Sequence, residues 1–148
     1  MDRLLLLVVV AAAAGTLAHL VQRRRPDAPV RTGWSVPEQL DRRDFDRPDA
    51  PWLVAVFTSA KCETCSSVVE VAGPLESKAV AFHEVEAAAR KDLHDRYAIE
   101  AVPMVLLVDA VGVVRSHHLG PVSATHLWGS LAELRQPGSI PDGCSAGD

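Results

Sequence analysis

Only three of the 148 residues are cysteine, too few for the disulfide scaffold that holds many small secreted domains together. A tetrahedral zinc site is also short of parts. Cys62 and Cys65 would need about two further ligands. No second Cys pair and no His-x₃-His spacing supplies them, and His83, His94, His117, His118 and His126 fall on separate segments. Basic clusters are missing beyond residue 25. The formal charge is −4, yet residues 1–25 hold Arg3, Arg23, Arg24 and Arg25 against Asp2, a net of +3, which leaves −7 on the remainder. An acidic domain without basic clusters argues against nucleic acid as a partner. There is no internal repeat. What is present, 48% hydrophobic residues over this length, suits one domain with a genuine core.

Residues 4–21, opening on Leu4 and closing on Val21, depart from apolar character only at Gly15, Thr16 and His19. At about 1.5 Å per residue they span roughly 27 Å, enough for a bilayer core. A cleaved signal peptide is the competing reading, since the alanines offer small-residue cleavage positions. The run is longer than the usual signal core of roughly 7–15 residues, and it ends directly on Gln22-Arg23-Arg24-Arg25. The expectation is a single-pass anchor in the cell membrane over residues 1–25. Three arginines on its C-terminal flank against Arg3 on the other place the following domain in the cytoplasm.

Residues 26–50 read as a linker and a short helix. Pro26 to Gly33 has two prolines and mixed charge. Ser35-Val36-Pro37-Glu38 has the form of a capping box, which predicts a helix through Leu40 to about Asp44. Two prolines and two aspartates over 46–51 then form a turn. Trp52-Leu53-Val54-Ala55-Val56-Phe57-Thr58 is β-rich and uncharged, a strand buried on both faces. Cys65, Val68, Val69 and Ala72 recur at the spacing of one helical face, and Gly73-Pro74 ends that helix. A strand over 79–85, a helix over 87–97 carrying Ala89, Leu93 and Tyr97, and strands over 104–108 and 113–119 follow. The Asp109-Ala110-Val111-Gly112 turn between the last two is short enough to force them antiparallel. Leu127, Leu131 and Leu134 stripe a final helix. Residues 136–148 have no periodicity and read as a disordered tail. The strand–helix–strand beginning and the hairpin ending describe an α/β fold, a mixed sheet flanked by helices.

Cys62-Glu63-Thr64-Cys65 therefore sits where a buried strand turns into a helix, with Cys62 in the first, open turn and Cys65 facing inward. Side chains three apart on a helix have Cβ atoms roughly 5–6 Å apart, so a small closure makes a disulfide accessible. Unpaired N–H groups at a helix start favour a thiolate there. Lys61 pushes the same way and Glu63 opposes it. Cys62 is the candidate nucleophile and Cys65 the candidate resolving thiol. The plain alternative is a structural pair of small apolar side chains.

From Pro51 to about Leu134 the chain resembles thioredoxin. Three matches carry the resemblance: Cys62-Glu63-Thr64-Cys65; Tyr97-Ala98-Ile99-Glu100-Ala101-Val102-Pro103, similar to the family segment ending in a cis-proline; and Gly112 with Gly120 around the last strand. A trans bond is the ordinary expectation before proline, so cis at Val102-Pro103 is owed to the resemblance. It implies a thioredoxin-like domain over 51–135 and a thiol–disulfide oxidoreductase. Cys62 and Cys65 would be catalytic, with Lys61, Val102 and Pro103 bordering the substrate. It also implies no cofactor, no metal, a monomer, protein disulfides or dithiols as substrates and an upstream redox partner. Two departures stand out: Lys61 and Glu63-Thr64 replace the family's tryptophan and Gly-Pro, and Val56 stands where members often carry a buried acid. Two other functions remain open, a non-catalytic binding module at the membrane and a metal-handling domain using both thiolates.

Overall fold

A computed structural model describes residues 33–139. The apolar run at 4–21, its basic flank and Cys144 lie outside the described residues. Among the described residues, no helix is long and apolar enough to cross a membrane. The elements in order are β1 (Trp52–Thr58), α1 (Cys65–Ala72), a 3-10 turn (Gly73–Leu75), β2 (Val80–Glu86), α2 (Lys91–Arg96), β3 (Met104–Asp109), β4 (Val114–Leu119) and α3 (Ala124–Arg135).

The four strands make one sheet in the order β2-β1-β3-β4. β1 runs parallel to β2 and antiparallel to β3, and β3 pairs antiparallel with β4. As the central strand, β1 is buried over every residue but Trp52, as its uncharged β-branched composition requires. Its side chains alternate between two cores. Leu53, Ala55 and Phe57 join Ala81, Val85, Leu93, Leu106 and the N-terminal residues Leu40 and Phe45. Val54 and Val56 join Val68 and Ala72 of α1, Val80, Val105 and Leu107 of the sheet, and Leu127 and Leu131 of α3. Thus α1 and α3 cover one face, while α2 and residues 34–50 cover the other. Trp128, half exposed, donates its indole N–H to the Val71 carbonyl at 2.9 Å and ties the two helices together.

The sheet decides two places where local pattern reads differently. Ser35-Val36-Pro37-Glu38 caps no helix, because the next residues are drawn onto the hairpin. Val114 N–H donates to the Glu38 carbonyl at 2.9 Å and Leu40 N–H to the Gly112 carbonyl at 2.8 Å. Only a 3-10 turn, Arg42–Asp44, forms, capped by Asp41. The helix expected over 87–97 is shortened to α2 because the Glu86 carboxylate takes the amides of Ala88 and Ala89 at 2.8 and 2.9 Å. Residues 136–139, the start of the stretch expected to be unstructured, form a turn on the end of α3, where Gly138 N–H donates to Glu133 Oε1 at 2.7 Å.

Gly112 closes the β3–β4 hairpin at φ +88°, and a Cβ there would overlap the Leu40 carbonyl oxygen and meet Gln39 Nε2 at 2.7 Å. Positive φ and backbone overlap act together, so Gly112→Ala is expected to cost about 1–3 kcal/mol. Urea unfolding checks this. A change below about 0.5 kcal/mol, ordinary for a surface site, would mean that residues 38–40 are not held on the hairpin.

Candidate functional site

Six residues, 59–64, connect β1 to α1. Cys62 N–H donates to the Ser59 carbonyl at 2.9 Å and Cys65 N–H reaches the Cys62 carbonyl at 3.4 Å. This turn keeps Cys62 off the helix. The α-helix begins at Cys65 behind Thr64, so Cys62 stands just ahead of the first turn and not in it, contrary to the pattern-based expectation. Cys62 and Cys65 are joined by a disulfide with Cα atoms 5.5 Å apart. Cys65 is 4% exposed and continues the apolar stripe of Val68 and Ala72, whereas Cys62 is half-buried, with Thr64 Oγ1 3.8 Å from its sulfur. One sulfur is open to a partner and the other is shielded.

The other residues singled out in the sequence gather at the same end of the sheet. Pro103 is buried, its bond to Val102 is cis, and it precedes Met104, which pairs with Phe57 near the end of β1. The Pro103 carbonyl accepts the Gly120 N–H at 2.9 Å. Val102 packs against the core that contains Phe57. Lys61 is exposed beside Cys62 on the turn. Val56 is fully buried against α1.

Two acids on β2 were not singled out by sequence reasoning. Glu86 anchors the cysteine turn: its Oε1 accepts the Ala60 N–H at 3.0 Å while its Oε2 takes Ala88 and Ala89. Donation from Ala89 first, then Ala60 and Ala88, holds its carboxyl below the usual glutamate range against the opposing effect of burial. Glu84 accepts the hydroxyl of the buried Thr58 at 2.8 Å. The available signal was the pair of charges at alternate positions in His83-Glu84-Val85-Glu86, which interrupt an otherwise apolar strand at its C-terminal end.

Because the folded pKa of Glu86 is depressed, its anchoring is complete above the unfolded glutamate value and is lost as pH falls through the folded one. The amide NMR shifts of Ala60, Ala88 and Ala89 should titrate together, with a midpoint below that of an unstructured glutamate. Separate midpoints, or a common one at or above that value, would show that the anchor does not exist in solution.

Among the described residues, no group of three or more His, Cys, Asp or Glu side chains is placed to hold a metal ion. His94 is buried, with Nε2 2.9 Å from the Val85 carbonyl and its ring edge-on to Phe57. On β4, His117 is exposed and His118 half-buried, and burial pushes the His118 pKa down, with His117 and His126 adding to the effect. On the opposite face of the sheet a cleft of about 540 Å³ is lined by Gln39, Asp41, Arg43, Arg96 and Tyr97, among others. Its charges satisfy one another: Asp41 bridges Arg43 at 2.9 Å and Arg96 at 3.6 Å. Burial, then the bond to Asp44, pushes the Tyr97 hydroxyl up to about 12.

No protein-family model and no curated protein matches the sequence. The fold does find counterparts among solved structures. A mutant thioredoxin from Halobacterium salinarum NRC-1 superposes with a TM-score of 0.54 at 18% identity, over 68% of this chain and 95% of its own. The fold is thioredoxin-like. A structure described only as a malarial protein superposes with a TM-score of 0.51 at 15% identity, over 56% of this chain and 96% of its own. At such identities the likeness concerns the fold alone. The disulfide occupies the β1–α1 junction of this thioredoxin-like sheet, with the cis-proline at the same end, an arrangement consistent with thiol–disulfide exchange.

Proposed function

We propose that the chain is a membrane-tethered thiol–disulfide oxidoreductase acting on protein substrates through Cys62 and Cys65. The observation that carries the reading is the asymmetry of the pair, one sulfur half-exposed on a turn and its disulfide partner buried in the first turn of α1. In the reducing direction the Cys62 thiolate attacks one sulfur of a substrate disulfide, and the other substrate sulfur leaves as a thiolate. Cys65 then loses its proton and attacks Cys62 Sγ, and the second substrate sulfur leaves. Two electrons pass to the substrate, and an upstream dithiol has to return them. Lys61, next to Cys62 on the turn, and the Val102–Pro103 segment at the same end of the sheet would receive the substrate backbone. The reverse sequence oxidises a dithiol.

Equilibration of the full chain with glutathione redox buffers tests the reading. A reversible two-electron couple in the range of roughly −270 to −120 mV is expected. A pair that stays oxidised below about −300 mV behaves as a structural disulfide and would leave only a docking role. Tethering through residues 4–21, with the domain on the cytoplasmic side, rests on the apolar run and its arginine flank. A membrane-impermeant maleimide applied to intact cells should then leave reduced Cys62 unmodified until the cells are opened. Labelling from outside would reverse the orientation, and recovery of the protein free of membranes would remove the tether.

A further inference from the structure

Resolution of the mixed disulfide requires a proton to leave Cys65, a thiol buried where its thiolate is disfavoured. Beneath α1 the central strand offers Val54, Val56 and Thr58 on that face, and none is a base. The neighbouring strand offers one. In the parallel β1–β2 register Val56 pairs with Glu84, so both side chains lie on the face that α1 covers. The β1–α1 connection is short, and Glu86 at the end of β2 holds the Ala60 amide within it, so the cysteine turn lies at the C-terminal ends of β1 and β2. Thr58, 2% exposed, donates its hydroxyl to Glu84 Oε1 at 2.8 Å. That bond holds the carboxylate against the end of β1, beside the turn that leads to Cys62.

We propose that Glu84 is the base that takes the Cys65 proton, standing one strand away from Val56 and steered by Thr58. The proposal rests on the oxidoreductase reading above. The Cys65 S–H proton passes to the Glu84 carboxylate, directly or through one water. The Cys65 sulfur bonds to Cys62 Sγ, the bond from Cys62 to the substrate sulfur breaks, and that sulfur leaves with the electron pair. Glu84 then returns its proton to solvent or to the departing thiolate. Other candidates are worse placed. The Glu86 carboxylate is occupied by three backbone donors. Glu63 lies on the turn between the two cysteines, and among the described residues no hydrogen bond fixes its carboxylate, whereas Thr58 fixes that of Glu84. His118 pairs with Val105 on the far side of β3 from β1.

The test uses the reduced full chain, oxidised glutathione as the probe, and acid-quenched mass spectrometry to follow the glutathione adduct at Cys62. Glu84→Gln keeps an oxygen for the Thr58 hydroxyl and changes an exposed side chain, so the fold is retained. At pH 7 it should leave adduct formation unchanged within about twofold and slow adduct decay on the order of 10²-fold, the usual contribution of a general base. Added formate should restore part of the decay rate in Glu84→Gln and leave the wild type unaffected. Decay at the wild-type rate would overturn the proposal. So would slowed decay that formate does not restore, or a comparable slowing in His118→Gln. Formation of neither the adduct nor the Cys62–Cys65 disulfide in the wild type is a separate result, which removes the oxidoreductase reading and this inference with it.

Discussion

Cys65→Ser should stop turnover and leave the chain trapped as a mixed disulfide at Cys62. A serine oxygen cannot close a bond to Cys62 Sγ, so reduction of a disulfide substrate should fall on the order of 10³-fold or more, to the rate at which external thiols release the adduct. The first step should survive, because Cys62 lies on the turn ahead of the helix and does not need the Cys65 sulfur in order to attack. Serine is close in size to cysteine, and the loop closed by the native bond spans only Glu63 and Thr64, so little stability is lost with it. Mass spectrometry of the adduct, beside a multiple-turnover assay, reads both halves. Turnover at the wild-type rate would assign resolution to another thiol, and Cys144 would be the one to test.

Val56→Asp should damage the fold while restoring chemistry. Val56 is fully buried among Val54, Val68, Val80 and Val105. A carboxyl with no hydrogen-bond partner there should cost about 1–3 kcal/mol when neutral and more when ionised. Burial, and Glu84 one strand away, both raise the pKa of the introduced group. A group whose folded pKa is raised is least harmful below its unfolded value, and its cost grows as pH rises through the folded one. The variant should therefore lose more stability at pH 8 than at pH 5, measured by urea unfolding. In the Glu84→Gln background the same substitution should speed decay of the mixed disulfide, because it puts a proton acceptor beside Cys65 by a second route. Equal destabilisation at both pH values, with no recovery of decay, would show that this position does not face the cysteine pair.

The strands, the cysteine helix and the last helix were legible because each carries its own period. Uninterrupted apolar residues mark β1 and β3, and Cys65, Val68 and Ala72 mark α1 at its inward stripe. Turn chemistry was equally readable at Asp109 to Gly112, where the aspartate carboxylate takes two amides, those of Val111 and Val113, and glycine supplies the positive φ. The capping box at Ser35 misled because its four residues describe a helix start only while the neighbouring amides are free. Pairing with the hairpin committed the Glu38 carbonyl and the Leu40 amide elsewhere. The helix over 87–97 was overread for a related reason: one long-range acid, Glu86, captured amides that the local pattern had left to a helix.

Residue pattern was enough to place two cysteines at a strand-to-helix junction in an α/β domain, since composition, spacing and side-chain period are all local properties. The groups that surround the pair come from long-range pairing instead. The register of β1 against β2 sets Glu84 beside Val56, and the end of β2 brings Glu86 to Ala60. Pairing between β1 and β3 carries Pro103, some forty residues away in sequence, to the same end of the sheet. Register is a property of two strands together, fixed by which faces the helices cover. No single stretch of the chain encodes it.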